Sequence, residues 1–224
     1  MPEIIIAELQ KQFVAAANPT KAAEMSRYMK NRFEFYGIPK PLRAELQKLF
    51  LQSLSKADYK TIEMVITALW KNSQREMQYT AMDLMLKSKI WRHEKSIVLM
   101  EKLITHKSWW DTVDLLAARC VGAYFLHFPE KRDEVIERWM QSPDMWLNRT
   151  AIIFQLSYKQ QTDEGLLFYC AEKFSGSKEF FIQKAIGWAL RQYARTSPNR
   201  VLHFVETHNL KPLSSREALK HFPK

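Results

Sequence analysis

The sequence predicts an all-α fold, a right-handed solenoid of helical repeats with a period of about 35 residues and a basic concave face. Three observations lead there. Apolar residues recur at helical spacing almost throughout, and no segment alternates apolar and polar long enough to argue for a strand. Only 5 of the 224 residues are Gly, and the 9 Pro are scattered as punctuation, which favours long helices joined by short turns. Residues one period apart also match in class near the helix starts, as stacked equivalent units require.

The opening stretch MPEIIIAELQKQF reads as an amphipathic helix over 3–16; it lacks the charged start and long apolar run of a secretory leader. Asn18-Pro19 breaks the pattern, and a second helix is expected over 20–35. The stretch from Gly37 to Pro41 ends it, and periodic apolar positions then place helices over 41–54, 57–71, 74–88 and 92–105. Ser108, followed three residues later by Asp111, has the signature of a capped start for a helix over 109–127. Pro129 and Ser142-Pro143 bound a helix over 130–140, and helices over 145–159 and 163–174 lead to Gly176. The last three helices, 178–195, 198–207 and 213–221, are separated by Ser197-Pro198 and Pro212. No Gly/Ser linker or low-complexity tract divides the chain, so residues 1–224 are expected to form a single domain.

Stepping by 35 from Leu42 gives Met77, Thr112, Leu147 and Ile182, each near the start of an expected helix. Four residues on, the ladder reads Leu46, Ala81, Leu116, Ala151 and Ile186; three further on it reads Leu49, Leu84, Arg119, Phe154 and Ala189, apolar but for one. Helix pairs that bury these faces against their neighbours make a solenoid. The period is near those of TPR and HEAT/armadillo arrays, and the Trp, Leu-Gly and Tyr pattern of TPR units is absent, so a HEAT-like array fits better.

Composition narrows the function classes. With 46% hydrophobic residues the chain buries a sizeable core and is not disordered. A net charge of +10 calls for a polyanionic partner, nucleic acid before an anionic membrane, against the plain alternative of a basic but inert surface. Cys120 and Cys170 stand apart with no CxxC or HxxxH group, so no structural zinc or other metal is expected, and both read as small core residues. No apolar run is long enough for a membrane span, which points to the cytosol, in a bacterium the cytosol and nucleoid. No GxSxG, HExxH, P-loop or dinucleotide fingerprint occurs.

A second ladder, Ala44, Tyr79, Asp114, Arg149 and Lys184, is the least hydrophobic row of the helix starts. Arg149 and Lys184 suit phosphate, one as a planar fork and one as a point charge. Asp114 opposes that use. Asp111 has a capping job available, whereas Asp114, one turn further in, has none. A carboxylate beside Trp110 in a basic face either meets positive charge developing on a substrate, as at a sugar during glycosidic cleavage, or forms a surface salt bridge with a nearby Arg or Lys; both readings stand at this point.

The chain has 7 Trp. Trp109 and Trp146 are expected in the core, while Trp110 and Trp188 share helices with the polar ladder. An indole face attracts cations by roughly 0.5–2 kcal/mol, which would favour a purine made cationic by alkylation. SKEFFIQKAIGWALRQYAR sets Phe180, Phe181 and Trp188 among Lys184, Arg191 and Arg195, a mixture typical of nucleic-acid contact.

The strings SRYMKN (26–31), KSWWDTVD (107–114), MWLNRTAIIFQLSYKQ (145–160) and SKEFFIQKAIGWALR (177–191) resemble the AlkD family of HEAT-like repeat DNA glycosylases, and the resemblance spans roughly residues 2–221. It implies that Asp114 is the catalytic carboxylate, that Trp110 and Trp188 complete the catalytic site, that Arg149 contacts DNA, and that Tyr28 helps shape the lesion site. Lys184 and Arg191 join Arg149 as expected DNA-binding residues. The implied substrate is double-stranded DNA carrying cationic N3- or N7-alkylated purines, cleaved at the N-glycosidic bond without base flipping. With no lysine nucleophile needed, the implied enzyme is monofunctional; no cofactor is expected and monomeric action is the default. Ala44 and Ser157 stand where some relatives are expected to carry basic side chains against DNA. Two other readings fit the residues: a non-catalytic DNA-binding module and a protein-interaction scaffold, which salt dependence and base release would separate.

Overall fold

A computed structural model describes residues 2–222, and they form helices and turns, as expected of an all-α chain. Five helices begin at Lys40, Arg75, Trp110, Met145 and Phe180, each 35 residues after the last. The period read from the ladder is therefore a real spacing of helices. The chain divides into two compact units, Met1–His93 and Glu94–Lys224.

The first unit holds α1 (Pro2–Ala15), α2 (Pro19–Tyr28), α3 (Lys40–Leu46), α4 (Lys48–Leu54), α5 (Tyr59–Lys71) and α6 (Arg75–Ser88). Its centre is the α5–α6 pair with α1 against α5, closed by Leu9, Phe13, Val65, Leu69, Met77 and Leu84. Asn18 starts α2 by accepting a hydrogen bond from the Lys21 amide at 3.0 Å, and Asp58 starts α5 through the Thr61 amide at 3.0 Å.

Two expectations fail here. The helix expected over 20–35 ends at Tyr28, because Lys30 and Asn31 turn left-handed (φ 58° and 56°) and the chain continues non-helically to Ile38. The fully buried Glu76 carboxylate holds that stretch, accepting from the amides of Tyr36, Gly37 and Ile38 at 3.0, 2.9 and 3.1 Å. Gly37 sits at φ 83°, where a Cβ would run into the backbone of Asn18 and Ala22. The helix expected over 41–54 is broken at Gln47, whose side chain donates to Asp83 at 2.7 Å and accepts from Thr80 at 2.8 Å. Arg43, Gln47 and Phe50 face inward while Leu42 and Leu49 are exposed, so the ladder's first rung is displaced by one residue.

The second unit holds α7 (Ser96–Thr105), α8 (Trp110–Leu115), a π-turn segment (Leu116–Val121), α9 (Gly122–His127), α10 (Arg132–Met140), α11 (Met145–Ile153), α12 (Glu164–Lys173), α13 (Phe180–Tyr193), α14 (Pro198–Thr207) and α15 (Pro212–Ala218). Successive pairs stack in two layers: α8, α11, α13 and α15 pack in sequence, with α10 against α11, α12 against α13, and α14 against both α13 and α15. Thr112, Leu147, Ile182, Leu116, Ala151 and Ile186 are all buried, as the ladder requires.

The helix expected over 109–127 is continuous but carries the wide π turn in its middle. A π turn shifts the register by one residue. That explains the one polar rung: Arg119 is exposed and its neighbour Cys120 is fully buried. The capping role expected of Ser108 is not found. Trp109 stands at the N-cap of α8 without a side-chain cap, and the Ser108 hydroxyl donates back to the Ile104 carbonyl at 2.6 Å, closing α7 instead. The helix expected from 92 starts at Ser96, the one expected over 145–159 stops at Ile153, and the last ends at Ala218.

Candidate active site

The second unit brings six of the expected site residues to one cleft. Trp110 is the first residue of α8 and Asp114 lies one turn along; Arg149 is one turn into α11; Lys184, Trp188 and Arg191 follow one another on one face of α13. All six line a cleft of about 340 Å³, together with Phe180 and Phe181. Tyr28 belongs to the first unit, where it is the last residue of α2 and 68% exposed.

The centre of the cleft is an ion pair. Arg149 Nε donates to Asp114 Oδ1 at 2.7 Å and Nη2 to Oδ2 at 2.8 Å, a bidentate fork between residues one repeat apart. The third donor, Nη1, goes to the Phe181 carbonyl at 2.5 Å, so α8, α11 and α13 meet at one guanidinium. The Arg149 side chain is only 5% exposed against 17% for Asp114. Arg149 is therefore spent on Asp114 and on the backbone, and the carboxylate keeps the more accessible edge. Burial raises the Asp114 carboxyl above its ordinary range; the Arg149 fork pulls the other way, and the nearby Asp111 charge adds to the rise.

The aromatic wall is built in layers. Trp109 and Trp146, both expected in the core, pack with Phe181 in a half-buried cluster with centroids 5.0–5.7 Å apart. Phe180, 58% exposed, packs edge-on against Phe181. Trp110 and Trp188 are half-buried in the wall of the cleft itself.

The basic rim depends on Glu217, which the sequence reading missed. Glu217 on α15 meets Lys184 Nζ at 2.9 Å and Arg191 Nη1 at 2.6 Å. Hydrogen bonds from Lys184 and Arg191 hold its carboxyl down at about 2. One carboxylate thus fixes two cations on either side of Trp188 and leaves one positive charge uncompensated. Gly187 makes this approach possible, since a Cβ there would meet the Glu217 side chain and stand 2.8 Å from the Ser214 carbonyl. The repeat could not reveal Glu217, because α15 begins 32 residues after α13 and a step of 35 from Lys184 overshoots to Leu219.

Among the described residues no group of three His, Cys, Asp or Glu is placed to hold a metal ion, and no helix is long and apolar enough to cross a membrane. Fold and cleft together define a class: an all-α protein of stacked helix pairs with a desolvated carboxylate among indoles and cations. The chain belongs to the DNA alkylation repair enzyme family, whose model matches residues 9–222. Its fold is similar to that of a predicted DNA alkylation repair enzyme from Enterococcus faecalis, with 34% identity and a TM-score of 0.87 over 93% of this chain and 97% of the other. No curated protein matches.

Proposed function

We propose that this protein is a monofunctional alkylpurine DNA glycosylase of the AlkD type, hydrolysing the N-glycosidic bond of cationic N3- and N7-alkylated purines in duplex DNA. The observation that carries the reading is Asp114: a carboxylate at the floor of an open cleft, withdrawn from water, aimed by a bidentate Arg149 and flanked by Trp110 and Trp188. An alkylated purine is already positively charged. When its bond to C1′ breaks, the electron pair stays on the base nitrogen and neutralises it, so no acid is needed to drive departure. The positive charge passes to the sugar as an oxocarbenium-like centre. Asp114 stabilises that centre and aligns a water, whose oxygen bonds to C1′ while its proton leaves through the carboxylate to solvent. The indoles pack against the deoxyribose and favour a cation over a neutral base. Lys184 and Arg191, bridged by Glu217, take the strand's phosphates. Arg149 positions Asp114 in this scheme and is too buried to be a primary phosphate contact. An open cleft suits a lesion met at the duplex surface, without extrusion of the base.

The test is release of methylated purines from methylated duplex DNA. Wild-type protein is expected to release N3-methyladenine or N7-methylguanine and leave abasic sites. Asp114→Asn is expected to lose ~10²–10³-fold in single-turnover rate with duplex binding retained. Salt-sensitive duplex binding with no base release by the wild type would overturn the glycosylase reading and leave a DNA-binding module, for which the Asp114–Arg149 pair would be a structural clasp.

A further inference from the structure

A second cleft, of about 300 Å³, adjoins the first and shares Arg191 with it. Its rim carries Arg191, Arg195 and His221; Ala194, Pro198 and Phe222 are among the residues of its apolar floor. Among the described residues no carboxylate lines it. Glu217, the acid nearest in the fold to Arg191, is already shared between Lys184 and Arg191. Arg195 and His221 are exposed, and among the described residues neither makes an ion pair. The Arg195 guanidinium and the His221 imidazole, beside an Arg191 whose Glu217 partner is shared with Lys184, make a site for a compact oxyanion, and a guanidinium fork matches a pair of phosphate oxygens.

Its distance from the catalytic cleft says which phosphate. α13 runs on from Trp188 to its end at Tyr193, about 7.5 Å along its axis at 1.5 Å per residue, and Arg195 stands in the turn just beyond that end. Phosphates of one strand advance about 3.4 Å each along the duplex, so with α13 lying along the duplex axis this reach is two to three nucleotide steps.

We infer that the cleft of Arg191, Arg195 and His221 is a phosphate subsite that grips the DNA backbone two to three nucleotides from the damaged sugar. The inference rests on the proposed action on duplex DNA. The subsite adds what the catalytic cleft lacks, a fixed point that sets the register of the strand so that C1′ of the lesion comes opposite Asp114.

The experiment is a phosphate scan. Duplexes with a non-cleavable abasic analogue carry one uncharged methylphosphonate at successive positions on either side of it, and affinities are read by fluorescence anisotropy. The wild type is expected to lose roughly tenfold at one position, two or three steps from the analogue, as for one charge-assisted contact. Arg195→Gln is expected to bind the unmodified duplex correspondingly less well, to have a salt slope smaller by about 1, and to be indifferent to the methylphosphonate at that position. His221→Gln should show the same insensitivity in weaker form. A flat scan for the wild type, or an Arg195→Gln protein that keeps the full positional loss, overturns the subsite while base release still upholds the glycosylase. Failure of the wild type to bind any duplex overturns both.

Discussion

At the scale of residues the molecule spends a great deal on one carboxylate. Burying an ionised group costs several kcal/mol unless it is paired and hydrogen-bonded. Asp114 is paired twice by the same guanidinium, and still burial dominates, so its carboxyl titrates above the ordinary range. By linkage, a carboxyl whose folded pKa is raised opposes folding when ionised, above that pKa, and ceases to do so as pH falls through it. The group is therefore retained against stability, as a functional anion would be. Because the anion is the working form, the rate of base release should fall with decreasing pH at a point above ~3.9, the value for an unperturbed Asp. A single-turnover pH profile whose acid limb lies at or below that value would contradict the role of burial. Arg149→Ala should strand the carboxylate, lowering stability by ~3–5 kcal/mol, seen as a fall of roughly 10 °C in Tm. Arg149→Lys restores the charge but not the fork, so it should recover stability in part and base release much less. An unchanged Tm for the alanine variant would show that the pair contributes no order to the site.

At the scale of elements the site is a meeting of helix starts. Trp110, Met145 and Phe180 open three helices 35 residues apart, and Asp114, Arg149 and Lys184 each lie one turn into theirs. Equal spacing makes them neighbours, which is why the Asp114–Arg149 pairing was within reach of the ladder as one of two open readings. The π turn begins two residues after Asp114 and restores a buried face behind it, with Cys120 in place of Arg119. The contact of α15 on α13 is of another kind, since it is set by the absence of a side chain at Gly187. Gly187→Ala is expected to push α15 away, cost ~1–3 kcal/mol by overpacking, and loosen the hold of Glu217 on Lys184 and Arg191. Duplex affinity should then weaken together with Tm. A variant as stable and as tight-binding as the wild type would refute the idea that this close approach sets the basic rim.

At the scale of the whole molecule, the net charge of +10 is the term that acts before any specific contact. Duplex binding should weaken steeply with salt, with a log–log slope of about −3 or steeper if the basic rim and the subsite together release the counterions of several phosphates. A slope near zero would favour a protein partner instead. Helix content, the 35-residue period and the candidates Asp114, Trp110, Trp188, Arg149, Lys184 and Arg191 were all legible in the chain, because helical periodicity and repetition are local properties that every segment carries. Four features were not. The end of α2 at Tyr28 depends on Glu76, nearly fifty residues on, which collects three loop amides. The break at Gln47 depends on Asp83 and Thr80. The inward turn of Arg149 depends on the Phe181 carbonyl, and the rim depends on Glu217 arriving from a helix that falls out of the repeat. By itself the sequence determined which segments are helices and which residues share a rung. Only the tertiary structure decided where each buried charge finds its partner, since that is a choice among distant groups made by packing, and neither propensity nor period contains it.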